Sequence, residues 1–154
     1  MRLEVGDDIV YGAYGAGVVA ARDMKLVSSE RQVVIVLALA DGLSVELPLA
    51  LAEKLLRPVA GELELARVGK VLRADADPNG ESWLKRRREA LPKLRDPVGL
   101  AEIIRDAARR AQLSPSERET VRTARKLLAA EIAVSRGVAV AEADGWIDEQ
   151  LTTL

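Results

Sequence analysis

The stretch RPVAGELELARVGKVLRA, residues 57–74, holds the change of pattern that decides the fold. Before it, apolar residues run in short segments punctuated by glycine. From Gly61 onward they recur at helical spacing. Leu65, Val68, Val71 and Leu72 stand at i, i+3, i+6 and i+7, one face of a helix that stops before the turn residues DADPNG at 75–80. A single change of period reads as two modules, residues 1–60 rich in strands and residues 61–154 helical.

On the strand side, DDIVY at 7–11, AGVVAAR at 16–22, QVVIVLAL at 32–39 and LSVEL at 43–47 are rich in Val, Ile and Leu. Their separators are GAYG, SSER and the pair Asp41–Gly42, a hairpin signal because glycine accepts the positive φ of such turns. QVVIVLAL is nearly continuous in apolar residues, as expected where both faces of a strand are covered. Pro48 ends the last clear strand, and LALAEKLLRPV supplies a helical turn and a closing strand. The expected module is a small, strongly bent antiparallel sheet or barrel.

On the helical side, Ser82 is placed to cap a helix over residues 83–91 that Pro92 ends. Pro97 follows Asp96 as a first-turn proline and opens a helix with Val98, Leu100, Ile103, Ile104 and Ala107 apolar. SPSERETVRTARKLLAAEIAVSRG, residues 114–137, begins with a serine cap, ends in glycine and carries Val121, Leu127, Leu128 and Ile132 inward. A last helix from about Val138 to Leu151 is expected to bury Val140, Trp146, Ile147 and Leu151. The fold class is therefore α+β, a bent β module followed by a compact bundle of about five helices.

Composition excludes several chemistries. The chain has 154 residues, 49% of them apolar, which suffices for a core, and it contains neither Cys nor His. Disulfides, thiolate chemistry, Cys/His zinc sites and Ser-His or Cys-His triads are thereby ruled out. No stretch approaches the length of a membrane span, and the first ten residues carry acids where a signal peptide needs apolar ones, so a cytoplasmic protein is expected. A hydrolase using carboxylates would have only Asp75, Asp77 and Glu81 as a candidate calcium loop, and these lack its spacing. No metal, no cofactor and no enzymatic activity are expected.

Net charge is −1, but it is unevenly spread: residues 61–112 carry twelve basic and nine acidic groups, whereas the flanking parts are net acidic. The centre of the basic segment is SWLKRRREAL, residues 82–91, which sets one of two tryptophans against four consecutive basic residues. On a helical wheel Leu84, Ala90, Leu91 and Leu94 form the buried side, and Lys85, Arg86 and Arg88 point away from it. Trp83 lies on the margin. Two readings stand: the ring is core beside a solvated flank, or ring and charges grip a polyanion. In the second, an apolar wedge with phosphate-binding neighbours unstacks a base step from the minor groove and reads distortion rather than sequence. Trp146, with no basic neighbour in the sequence, reads as core.

VGDDIVYGAYGAGVV at 5–19, SWLKRRREAL at 82–91 and TARKLLAAEIA at 123–133 together resemble the CarD/CdnL family of bacterial transcription regulators, over nearly the whole chain and in order. The resemblance implies a Tudor-like (SH3-like) N-terminal domain, shared with transcription-repair coupling factor, that binds the β subunit of RNA polymerase. It implies a helical domain that touches promoter DNA at the upstream edge of the bubble, where a tryptophan wedge slows bubble collapse. Mapped onto this chain, Trp83 is the wedge, with Lys85, Arg86 and Arg88 as phosphate contacts. Arg122 is a weaker candidate, because Thr123 occupies a position often basic in relatives. The polymerase contacts fall on Lys25, Leu26, Val27, Ser44 and Glu46; some relatives place arginine at the last. The implied protein is a monomer, associated with the nucleoid through polymerase. The competing reading is an adaptor without DNA binding, whose basic helix holds an acidic protein or RNA.

Overall fold

The computed structural model describes residues 3–75, 96–110 and 112–153. The strand module comprises β1 (Asp8–Tyr11), a short 3₁₀ turn (Gly12–Tyr14), β2 (Gly15–Val27), β3 (Glu30–Leu39), β4 (Ser44–Pro48), α1 (Leu49–Leu55) and β5 (Leu56–Pro58). The strands form an antiparallel sheet in the order β4-β3-β2-β1-β5. The helices that follow are α2 (Glu62–Arg73), α3 (Pro97–Ala108), α4 (Pro115–Arg136) and α5 (Val140–Thr152). The layout is α+β. The expected helix over residues 83–91 lies outside the described residues, and no described helix is long and apolar enough to cross a membrane.

The turns form where local chemistry demands them. Val27 pairs with Glu30, and the two residues between, Ser28 (φ 52°) and Ser29 (φ 68°), both take positive φ, the geometry of a two-residue hairpin whose twist matches its strands. At the next turn Gly42 has φ 92°, and the Asp41 carboxylate accepts the Leu43 N–H at 3.0 Å. β2 is long enough to bend, and a register shift between Val19 and Ala21 supplies the bulge. Gly17 is required for a different reason. A β-carbon there would stand 2.2 Å from the Ala38 carbonyl oxygen, so only glycine lets β3 approach this closely.

Alternation along the strands divides the sheet. Ile9, Val19, Ile35, Leu37 and Leu47 point to one side, where Leu3, Ala52 and Leu56 close a core. On the opposite side, Val10 pairs with Ala16 and both are buried, because α4 packs across β1 and β2 there. One face of the sheet is therefore closed by the module's own core, and the other is covered over β1 and β2 by the helical half.

The helices begin and end as their caps dictate. Asp96 accepts the Val98 N–H at 3.0 Å with Pro97 in the first turn, and Ser114 accepts the Glu117 N–H at 3.2 Å with Pro115 in the first turn. Gly137, in the left-handed region at φ 66°, closes α4. Leu65, Val68 and Leu72 of α2 meet Leu100 and Ile104 of α3, Leu128 and Ile132 of α4 and Ile147 of α5 in one core. Val121 and Leu151 are partly buried against it. Val140 differs from expectation: it is 42% exposed. As the first residue of α5 it lies beyond the core that holds Ala143 and Ile147 further along the helix. Trp146 does pack against the core, but it has a basic neighbour in space, the Arg136 guanidinium 4.6 Å above its ring.

Candidate functional site

Antiparallel partners project to the same side of a sheet, and this places the five expected docking residues. Met24 pairs with Val33 and Leu26 with Arg31, so Met24 and Leu26 continue the core face. The β2–β3 ribbon extends beyond the part of β3 that pairs with β4, and these two side chains are left 62% and 73% exposed. Lys25 pairs with Gln32 and Glu46 with Val36, on the outer face. Ser44 joins them there, since Val45 and Leu47 point inward. Val27, two residues beyond Lys25, is half-buried beside the turn.

On that outer face Lys25 Nζ lies 2.6 Å from Glu46 Oε1. The hydrogen bond to Glu46 is the main reason the Lys25 pKa stands above its ordinary value. The Glu46 charge is thus matched within the chain itself. The surface combines an outward ion pair on β2 and β4 with an apolar pair, Met24 and Leu26, on the other side of the same ribbon. Met24 was not among the expected residues; its alternation with Leu26 beyond the end of β4 pairing is the signal for it.

Of the expected nucleic-acid contacts, Trp83, Lys85, Arg86 and Arg88 lie outside the described residues. Arg122 is described: it sits on α4, pairs with Glu119 at 3.1 Å, and both side chains are mostly exposed. Such a pair contributes little and yields readily to another anion. The neighbouring Thr123 hydroxyl folds back to donate to the Glu119 carbonyl at 3.0 Å. Asp75 is exposed at the end of α2, and its partners in the candidate calcium loop lie outside the described residues. Among the described residues no group of three or more acidic side chains converges on a metal position.

The most buried charge of the described residues is one that sequence reasoning missed. Glu131 on α4 is 1% exposed and receives both Nη atoms of Arg57 from β5, each at 2.7 Å. It also accepts the Ala60 N–H at 2.8 Å. Burial pushes the Arg57 pKa down, but the hydrogen bonds to Glu131 and the attraction of its charge outweigh this and hold it above the ordinary value. One turn on, the Ser135 hydroxyl donates to the Ala60 carbonyl at 2.5 Å. A signal was available: Glu131 falls on the apolar stripe of its helix, three residues from Leu128 and next to Ile132. A carboxylate on that stripe demands a buried partner. Further along α4, Arg125 bridges Asp144 and Asp148 of α5, at 2.6 Å each.

Residues 3–60 match the family model of the CarD-like/TRCF RID domain, and residues 67–148 match that of the CarD C-terminal domain.

Proposed function

The chain belongs to the CarD family of RNA polymerase-interacting transcription regulators, and on that premise we propose that it docks on the polymerase β subunit and holds the promoter bubble open from its upstream edge. Docking uses the free end of the β2–β3 ribbon and the β4 edge. Leu26 and Met24 offer apolar area on one side, and the Lys25–Glu46 pair with Ser44 offers polar contacts on the other. The helical half then presents Trp83 to the separated base step, while Lys85, Arg86 and Arg88 hold phosphates and Arg122 exchanges its exposed Glu119 partner for a phosphate. The protein contact supplies most of the affinity, since the net charge of −1 gives DNA little reason to bind the isolated chain. DNA recognition on this reading is structure-specific and indifferent to base sequence.

The observation that carries the reading is the exposed Leu26–Met24 ribbon within the RID-matched module. In a monomer such apolar exposure beside a satisfied ion pair fits a partner surface. The test is a titration of the full chain into the isolated β subunit and into complete polymerase. A complex with each, of comparable affinity, is expected. Binding to polymerase that the β subunit does not reproduce would move the docking site elsewhere.

A further inference from the structure

We propose that Glu131 is a positioning residue: with Arg57 and the Ala60 backbone it fixes the angle at which the helical half leaves the docking sheet, and so decides where on the DNA that half lands. The proposal rests on the reading of the preceding section for its functional consequence, but not for its geometry. Ala60 lies in the short connection between β5 and α2. Its N–H goes to Glu131 and its carbonyl to Ser135, so a single helix holds both backbone groups of the connecting residue. Arg57, three residues earlier and at the end of the sheet, joins the same carboxylate through a two-pronged contact. Connection and sheet edge are thereby pinned to adjacent turns of α4.

An ion pair is an inefficient way to gain stability here. Removing two charges from water offsets much of their attraction, and an apolar pair of equal volume would often hold the halves as tightly. What the ion pair adds is direction. The planar guanidinium meets the carboxylate in one orientation, and the second oxygen contact at Ala60 N–H admits no slide along α4. The apolar packing between the halves lacks that property. Leu127 of α4 lies against Gly15, its Cδ2 4.0 Å from where a β-carbon would stand, and this apolar packing has no preferred azimuth. A protein tethered to one partner through its sheet and touching another through its helices needs a fixed angle between them.

The chain has no cysteine, so spin labels can be placed on Glu30→Cys at the hairpin and Glu149→Cys on α5, both exposed in the full chain. Electron–electron distance measurement should give one narrow distribution in the parent. Glu131→Gln keeps the shape but removes the charge; it should widen or split the distribution, leave β-subunit affinity unchanged and return open-complex lifetime to the value without the chain. Arg57→Met combined with Glu131→Met removes the buried charges altogether. It should regain the parent melting temperature yet keep the wide distribution and the short lifetime. A distribution that stays narrow in both variants overturns the proposal, as does recovery of lifetime together with melting temperature in the double variant, which a merely structural role would give. A parent chain without effect on open complexes refutes the functional reading instead, and the distances alone then decide whether Glu131 sets the angle.

Discussion

Leu26→Ala separates docking from folding. Leu26 stands 73% exposed on the β2–β3 ribbon, outside the core of its own module. The substitution removes three carbons, which at about 0.8 kcal/mol each is about 2.4 kcal/mol for complete burial. Scaled to the 73% of the side chain still open to a partner, the loss on docking is about 1.8 kcal/mol, or about twentyfold in Kd. The folded chain loses almost nothing, since an exposed substitution away from caps and buried partners shifts stability by no more than about 0.5 kcal/mol. For a chain of this length that is a change of about 1–2 °C in Tm. Calorimetric titration against the β subunit, with a thermal melt of the same preparation, reads both quantities. Affinity within about twofold of the parent would show that Leu26 remains in water in the complex, and the ribbon would lose its role.

Other consequences follow from local geometry. Gly17→Ala forces a β-carbon into a 2.2 Å contact with a backbone oxygen that cannot turn aside, and should cost about 3 kcal/mol, the upper end for overpacking, seen as a Tm drop of about 6–12 °C; a drop under about 2 °C would contradict the β2–β3 spacing. Ser28→Asn combined with Ser29→Gly suits the two positive-φ positions and should stabilise the chain by about 1 kcal/mol in denaturant melts, whereas a loss would mean that the serines make contacts of their own. The Lys25–Glu46 pair has an alkaline limit. Because the folded pKa of Lys25 is raised above 10.5, its stabilisation is fully present below that value and disappears as pH rises through the folded value. The melting difference between the parent and Glu46→Gln should therefore hold steady from neutral pH to the ordinary lysine value and close beyond it; closure on the acid side of neutrality would point to another group.

What could be read in the sequence was what neighbouring residues decide. The Asp96–Pro97 and Ser114–Pro115 starts, the Gly137 stop, the hairpin turns and the Leu65–Val68–Leu72 stripe each depend on residues a few positions apart, and each is found where its chemistry placed it. Contacts between distant segments left weaker traces. Arg57 and Glu131 are 74 residues apart, and nothing near Arg57 names its partner; only the misplaced carboxylate on the α4 stripe hints that one exists. Lys25 and Glu46 meet because β3 lies between their strands, a register that charge pattern alone does not reveal. Trp146 was correctly read as packed, but its basic neighbour Arg136 comes from the preceding helix, across the turn at Gly137. Val140 followed the apolar period of its helix and yet, as its first residue, is left 42% exposed among the described residues. The basic run at 85–88 remains a sequence reading, since it lies outside the described residues.

The central claim is that docking on polymerase lets Trp83 hold separated bases apart, and the most direct measurement is the lifetime of open promoter complexes. Heparin-challenged decay is followed without the chain, with the parent and with Trp83→Ala, and each protein is melted in parallel. The parent should lengthen the lifetime, and Trp83→Ala should lose that effect while its β-subunit affinity and Tm stay close to the parent's. A Tm collapse in Trp83→Ala, equivalent to about 3–5 kcal/mol, would return the ring to the core, and a lifetime the parent leaves unchanged would contradict the claim outright.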